Sequence, residues 1–230
     1  MSQSTTRQQL VLFGGYDGRS ITSSETWEWD GAAWTRKPVG SGPSPRAYAS
    51  MAYDAARDRG VLFEGVADCR SGPACLDLSD TWTWDGSTWT QQHPAVSPPA
   101  RSGANMAYHA ATRSVILFGG YSVAMNQYLN DTWAWDGRTW TQQQPETSPP
   151  SRTGAAMTMD PLRGSVLLFG GLNSRAILDD TWSWNGQTWS LLPSSTHPAS
   201  RVWASMAYNE ATRTPSFSAA RAVPFLPAMF

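Results

Sequence analysis

The sequence predicts an all-β protein built from repeated four-stranded units, and three recurring stretches predict it. The first is 131–140, Asp-Thr-Trp-Ala-Trp-Asp-Gly-Arg-Thr-Trp, which returns with small changes at 25–34, 80–89 and 180–189. The second is a short apolar run closing on a glycine pair, at 11–15, 61–65, 115–120 and 166–171. The third begins at arginine and runs through small residues to an apolar end, at 46–53, 101–108, 152–159 and 201–208. The arginines Arg46, Arg101, Arg152 and Arg201 stand 55, 51 and 49 positions apart. No window keeps a 3.6-residue apolar period, so almost no helix is expected.

Each stretch dictates its own local form. Tryptophans two residues apart, such as Trp133 and Trp135, share one face of an extended strand. Asp-Gly or Asn-Gly followed by a return to tryptophan is a hairpin signal, so the first recurring stretch supplies two strands. The arginine strand and the apolar strand precede them, giving four strands per unit. A sheet with three indoles on it cannot bury them alone, so a neighbouring unit must cover it. Each indole removes roughly 150–250 Å² from water, an upper bound of about 4–6 kcal/mol before ordering entropy.

The ends of the repeat suggest a closed ring of four blades. The first unit begins at its apolar strand, whereas 201–208 is an arginine strand with nothing of its pattern after it. The expectation is therefore that 201–208 completes the N-terminal blade, leaving no open edge. The units are then 9–37 plus 201–208, 46–92, 101–144 and 152–192, within one body over 1–209. Residues 210–230 read as a divergent tail. Innermost strands must carry small side chains, and Ala49, Gly103, Ala104, Gly154, Ala155 and Ala204 meet that need.

Composition excludes several classes. The 230 residues hold 17 basic and 18 acidic side chains for a net charge of −1, with Lys37 the only lysine. That is no footprint for nucleic acid or an acidic membrane surface. No run approaches the ~18 apolar residues of a membrane helix, and the first residues lack the apolar core of a secretory signal. A cytoplasmic protein is expected. Cys69 and Cys75 would be thiols there, or a local bridge in an oxidising compartment.

The repeats resemble Kelch repeats. The residues that carry the resemblance are the pairs after Phe13, Phe118 and Phe169, with Trp34, Trp89, Trp140 and Trp189 closing each unit. It covers 9–208 and implies a β-propeller, as in the galactose oxidase central domain, with the loops between second and third strands on one face. The dipeptides at Trp29, Trp84 and Trp135 suggest WD40, but its period and Gly-His element are missing. The turn 85–89 resembles a sialidase Asp-box one residue too short. Kelch proteins usually have more blades than four, and in the second unit Glu64 replaces the first glycine of the pair.

Residues present in every unit are architectural first. Arg46, Arg101, Arg152 and Arg201 are expected to bind carbonyls between blades, or else to ring an axial anion site. Glu25, Asp80, Asp131 and Asp180 are expected to satisfy loop amides. Twelve of the thirteen tryptophans obey the hairpin rule; Trp203 does not. It stands where other units have Gly103, Gly154 and Tyr48; the expected ring closure would set Trp203 and Tyr48 on adjacent blades, as either a plug or a stacking platform at the axis. Ser50, Asn105 and Ser205 lie two residues further on and offer polar contacts. In the variable loops the candidates are Asp17, Arg19, Arg70, Tyr121, Asn126, Tyr128 and Arg175. Glu64 is the one candidate acid for catalysis, with an ion pair to Arg70 as the plainer role. His93, His109 and His197 do not group by repeat position, so neither a metal nor a cofactor is expected. The sequence thus supports a binding module for a small ligand, a glycan or a protein. Alternatives are a metal-free isomerase, cyclase or lyase at the same mouth, or a piece of a larger propeller assembly; self-association is left open.

Overall fold

The computed structural model describes residues 2–4, 9–16, 23–67, 76–209 and 212–218, and the regular structure among them is all strand. Four antiparallel four-stranded sheets follow one another along the chain. In the second sheet the order from the inside is Ser50–Asp54, Arg59–Phe63, Thr81–Trp84, Trp89–Gln92. The third repeats it with Asn105–His109, Ser114–Phe118, Thr132–Trp135 and Trp140–Gln143. The fourth does so with Ala156–Asp160, Ser165–Phe169, Thr181–Trp184 and Trp189–Leu191.

The first sheet corrects the expected closure. Its innermost place is taken by Ser2–Ser4, which pairs with Gln9–Phe13 in the register Ser2 to Val11 and Ser4 to Gln9. Thr26–Trp29 and Trp34–Lys37 complete it. That edge is already hydrogen-bonded, so no place is left there for the C-terminal arginine strand. Ser205–Asn209 pairs instead with Thr214–Ser218, within the stretch expected to be a tail, in a two-stranded sheet. The innermost strands of successive sheets lie side by side, from Ser2–Ser4 through to Ser205–Asn209.

The core lies between sheets rather than within them. Along Ser114–Phe118 the side chains alternate: Val115 and Leu117 pack with Val61 and Phe63 of the second sheet. Ile116 and Phe118 pack with Val166, Leu168 and Trp189 of the fourth. Both faces are buried, which is why the apolar strands are near-continuous hydrophobic runs. The second and third tryptophans of a unit are cross-strand partners, as in Trp135 opposite Trp140. The turn between them is closed by the aspartate: Asp136 Oδ1 accepts from the amides of Arg138 and Thr139 at 2.8 and 2.9 Å.

The third tryptophan reaches into the preceding unit. Trp140 Nε1 donates to Thr81 Oγ1 at 3.0 Å, as Trp89 does to Thr26 at 2.8 Å and Trp189 to Thr132 at 2.9 Å. Its ring lies against a phenylalanine of that unit, Phe63 for Trp140, at 5.2 Å between centroids. Trp34 lies against no preceding sheet among the described residues and is 41% exposed, against 3%, 1% and 1% for Trp89, Trp140 and Trp189. Burial of all three indoles in every unit therefore fails in the first. Replacing Thr81 by valine keeps the shape and strands a buried indole N–H, so unfolding in urea should show a loss of about 1–3 kcal/mol.

Candidate functional site: the axial mouth

The four arginine strands meet at a chain of backbone hydrogen bonds. Trp203 N donates to Gly154 O at 2.7 Å, Gly154 N to Gly103 O at 2.9 Å, and Gly103 N to Tyr48 O at 2.9 Å. All four residues sit in the left-handed region, with φ of 56° at Tyr48, 64° at Gly103, 61° at Gly154 and 59° at Trp203. Glycine adopts that backbone without penalty; tyrosine and tryptophan do not. A side chain would also have no room at the glycines, because a Cβ on Gly154 would stand 2.9 Å from the Trp203 ring.

Tyr48 and Trp203 come together as expected. Their rings are 5.1 Å apart at an interplanar angle of 41°. They are 47% and 44% exposed, so they are half in solvent and do not plug a buried channel. Trp203 covers Gly103 and Gly154, and Tyr48 meets it from the second unit. The loops between second and third strands begin at the same end. Each second glycine of a pair donates to the carbonyl of the next unit's arginine, as Gly120 N does to Arg152 O at 2.9 Å.

The arginines are not arranged for an axial anion. Arg46, Arg101 and Arg152 are fully buried. Arg101 Nη1 and Nη2 reach the two carboxylate oxygens of Asp131 at 2.6 and 2.8 Å, and Nη1 also donates to the Gly119 carbonyl at 2.9 Å. Arg46 clamps Asp80 and Arg152 clamps Asp180 in the same way. The ring of free guanidiniums is thus corrected: each buried fork is committed to its own carboxylate and to backbone carbonyls, not turned to the axis. Burial raises the Asp80 and Asp180 carboxyls, but the arginine and the neighbouring indole N–H outweigh it and hold both below the usual range. Arg201, in the fifth unit, is half-buried and donates Nε to the Ala199 carbonyl at 3.0 Å.

The polar candidates divide. Ser205 is exposed beside the mouth. Ser50 is buried, its hydroxyl within hydrogen-bond reach of both the Ala104 carbonyl and Glu64 Oε1, the latter at 2.9 Å, so it does not face a ligand. Asn105 is satisfied when its Nδ2 donates to the Ala155 carbonyl and its Oδ1 accepts from the Ala155 amide at 3.3 Å. One amide there does what Ser50 and Glu64 do together at the preceding interface, where Glu64 Oε1 accepts from the Ala104 amide at 2.8 Å.

Glu64 is fully buried, with φ of 66°, in the place of Gly119 and Gly170. Burial pushes its carboxyl up to about 8, against the pull of Arg101 and the hydrogen bonds from Ser50 and Ala104. A carboxylic acid closed off from solvent, with one oxygen committed between two strands, is a poor base for a substrate. Among the loops, Tyr121 is buried and donates to Asn126 Oδ1 at 2.5 Å, while Tyr128 meets its ring edge to face at 5.1 Å. Arg175 is exposed at the tip of the fourth loop. Asp17, Arg19, Arg70, Cys69 and Cys75 lie outside the described residues.

Comparison with known proteins places the repeats. The family model described as the KLHDC2/KLHL20/DRC7 Kelch-repeats domain matches residues 80–213, more than half of the chain. Kelch domain-containing protein 1 of Mus musculus is 28% identical over 200 residues, covering 72% of this chain and 47% of that protein. The chain spans about half the length of this curated relative.

Proposed function

This chain belongs to the Kelch-repeat family, and on that premise we propose that it is a binding module whose loop-bearing end, centred on Tyr48 and Trp203, holds a partner protein. The observation that carries the reading is the pair itself. Two half-exposed aromatics occupy left-handed backbone positions that the intervening units give to glycine. Such positions cost about 1–3 kcal/mol each, and strain of that kind concentrates where a surface is used. Exposed stacked aromatics offer area and a polar tip to a partner, the usual make-up of an interface anchor. Ser205 and Arg175 add polar contacts around them. A cytoplasmic setting, in which Cys69 and Cys75 are thiols, belongs to the same reading.

The test compares proteins retained from the host's own extract by the wild-type chain and by Trp203→Gly. The expected result is a set of retained proteins that the variant loses while its melting stays cooperative. Retention of the same set by both chains contradicts the proposal. A thermal-shift series with mono- and oligosaccharides separates a glycan from a protein partner at the same rings.

A second reading, that the chain works inside a larger propeller assembly, is favoured by the exposure of Trp34, whose counterparts all lie under an adjoining sheet. Mass measurement in solution tests it: a stable assembly with reduced Trp34 exposure is expected, and a monomer with Trp34 open to quenchers contradicts it. A catalytic mouth has no comparable support, since its one candidate acid is enclosed.

A further inference from the structure

At the end opposite the mouth, a cleft of about 330 Å³ opens between the second and third sheets, lined by Asp54, Arg57, Arg59, Thr83, Gln92 and Trp135 among others. Its size is that of a small-ligand site. The preceding interface shows what this one lacks. Between the first and second sheets Trp84 Nε1 donates to Glu28 Oε1 at 2.9 Å, and the other oxygen pairs with Lys37 Nζ at 3.1 Å. One unit later the positions of Glu28 and Lys37 are held by Thr83 and Gln92, which bond to each other at 3.0 Å. Threonine stops at its γ atoms, so nothing replaces the carboxylate. Trp135, the counterpart of Trp84, is fully buried and its Nε1 finds no partner among the described residues. A buried donor without an acceptor is unfavourable, and native structures rarely leave one unexplained.

Two guanidiniums face the same space. Arg57 is fixed against the third sheet, donating to the Arg113 carbonyl at 3.0 Å and to Asp54 at 2.8 Å. Arg59 is held loosely, 3.7 Å from Asp85. Asp54 is the only carboxylate in the lining and is already paired with Arg57, which leaves Arg59 as the cation unmatched within it. Asp85 and Asp136, on the hairpin turns, are drawn to the same arginines from outside. We infer that this cleft binds a small carboxylate, whose oxygens stand where the Glu28 carboxylate stands one interface earlier. One oxygen accepts from Trp135 Nε1 and the other meets Arg59, with the Gln92 amide beside it.

The third interface shows why the site is single. Trp184 Nε1 is also unpartnered, but Ala134 stands in the Glu28 place, and Thr112 and Ser114 replace the two arginines. The orphan N–H there lacks both arginines of the second interface.

The test follows the indole N–H resonances of the ¹⁵N-labelled chain during titration with sodium acetate and sodium propionate, with chloride and inorganic phosphate at matched ionic strength. One indole resonance, assigned as Trp135 by its loss in Trp135→Phe, should shift to saturation with the carboxylates. Thr83→Glu supplies its own carboxylate and should abolish that shift. Arg59→Gln, an exposed change that leaves the fold intact, should weaken binding about tenfold, as loss of a charge-assisted contact does. The inference is overturned if no carboxylate gives a saturable shift, if phosphate shifts the resonance equally, or if Arg59→Gln leaves the affinity unchanged. A water molecule satisfying the indole would produce the first of those results.

Discussion

Replacing Arg101 by alanine is expected to lower the unfolding free energy by about 3–5 kcal/mol, read from urea denaturation, because it strands a partly buried carboxylate and two carbonyls. The guanidinium is wholly enclosed and joins the Pro99 and Gly119 carbonyls to both oxygens of Asp131. Lysine should fare little better, since an ammonium cannot fork onto two oxygens and two carbonyls from one place. Removing both charges, as Arg101→Met with Asp131→Leu, should cost less than the single change. By contrast Arg59→Gln, at an exposed pair, should alter stability by less than about 1 kcal/mol. Equal losses at Arg101 and Arg59 would show that the buried clamp does not hold the unit together.

The second large effect is a dependence of stability on alkaline pH carried by Glu64. Burial keeps its carboxyl protonated in the folded chain up to about 8, whereas the unfolded chain loses the proton near 4.5. The folded state therefore binds the proton more tightly, and its contribution is complete below pH 4.5. It is lost progressively as pH rises to about 8, a total of about 5 kcal/mol at most. Asp77, also raised by burial, acts in the same direction. The Asp80 and Asp180 carboxyls are held low, so their contribution is present at neutral pH and falls away on acidification instead. Urea unfolding from pH 5 to 9 should show a steady fall for the wild type. Glu64→Gln keeps the acceptor for the Ala104 amide and cannot ionise, so its fall over that range should be much smaller, with only the Asp77 contribution left. A wild-type profile as flat as that of the variant would mean that the acid is neutralised by something other than its proton.

Most of the architecture was legible because each unit repeats the same chemistry. Trp-x-Trp and the Asp-Gly turn place the outer hairpin, and a fully apolar run such as 114–118 announces a strand buried on both faces. The inner end was less legible. Ser2–Ser4 has no arginine, no small-residue run and no apolar side chain, so nothing in it marks a strand; only the unpaired edge of Gln9–Phe13 calls for one. The expected closure gave way there and at the other end, where Ser205–Asn209 pairs with Thr214–Ser218.

At the mouth, Tyr48 and Trp203 were expected together through the ring closure, and they meet instead across the inner strands that carry glycines at their counterpart positions. The same glycines also implied a left-handed backbone, a signal the sequence contains and the aromatic residues obscure. Ser50 was misplaced for a different reason. Its partner Glu64 is fourteen residues away and replaces a glycine, so no repeat position predicts their contact. The inter-sheet cleft was visible only as a change from Glu28 to Thr83, which has no meaning until Trp84 is seen to donate to that carboxylate.

The claim that most depends on measurement is that Tyr48 and Trp203 are present for contacts outside the chain, not for stability. The unfolding free energy of the double variant Tyr48→Gly with Trp203→Gly tests it. Relief of two left-handed side chains should offset the lost ring packing and the added freedom of glycine, leaving the value within about 1 kcal/mol of wild type. A loss of about 3–5 kcal/mol, as for truncating a core tryptophan, would make the pair a structural plug and remove the proposed binding surface.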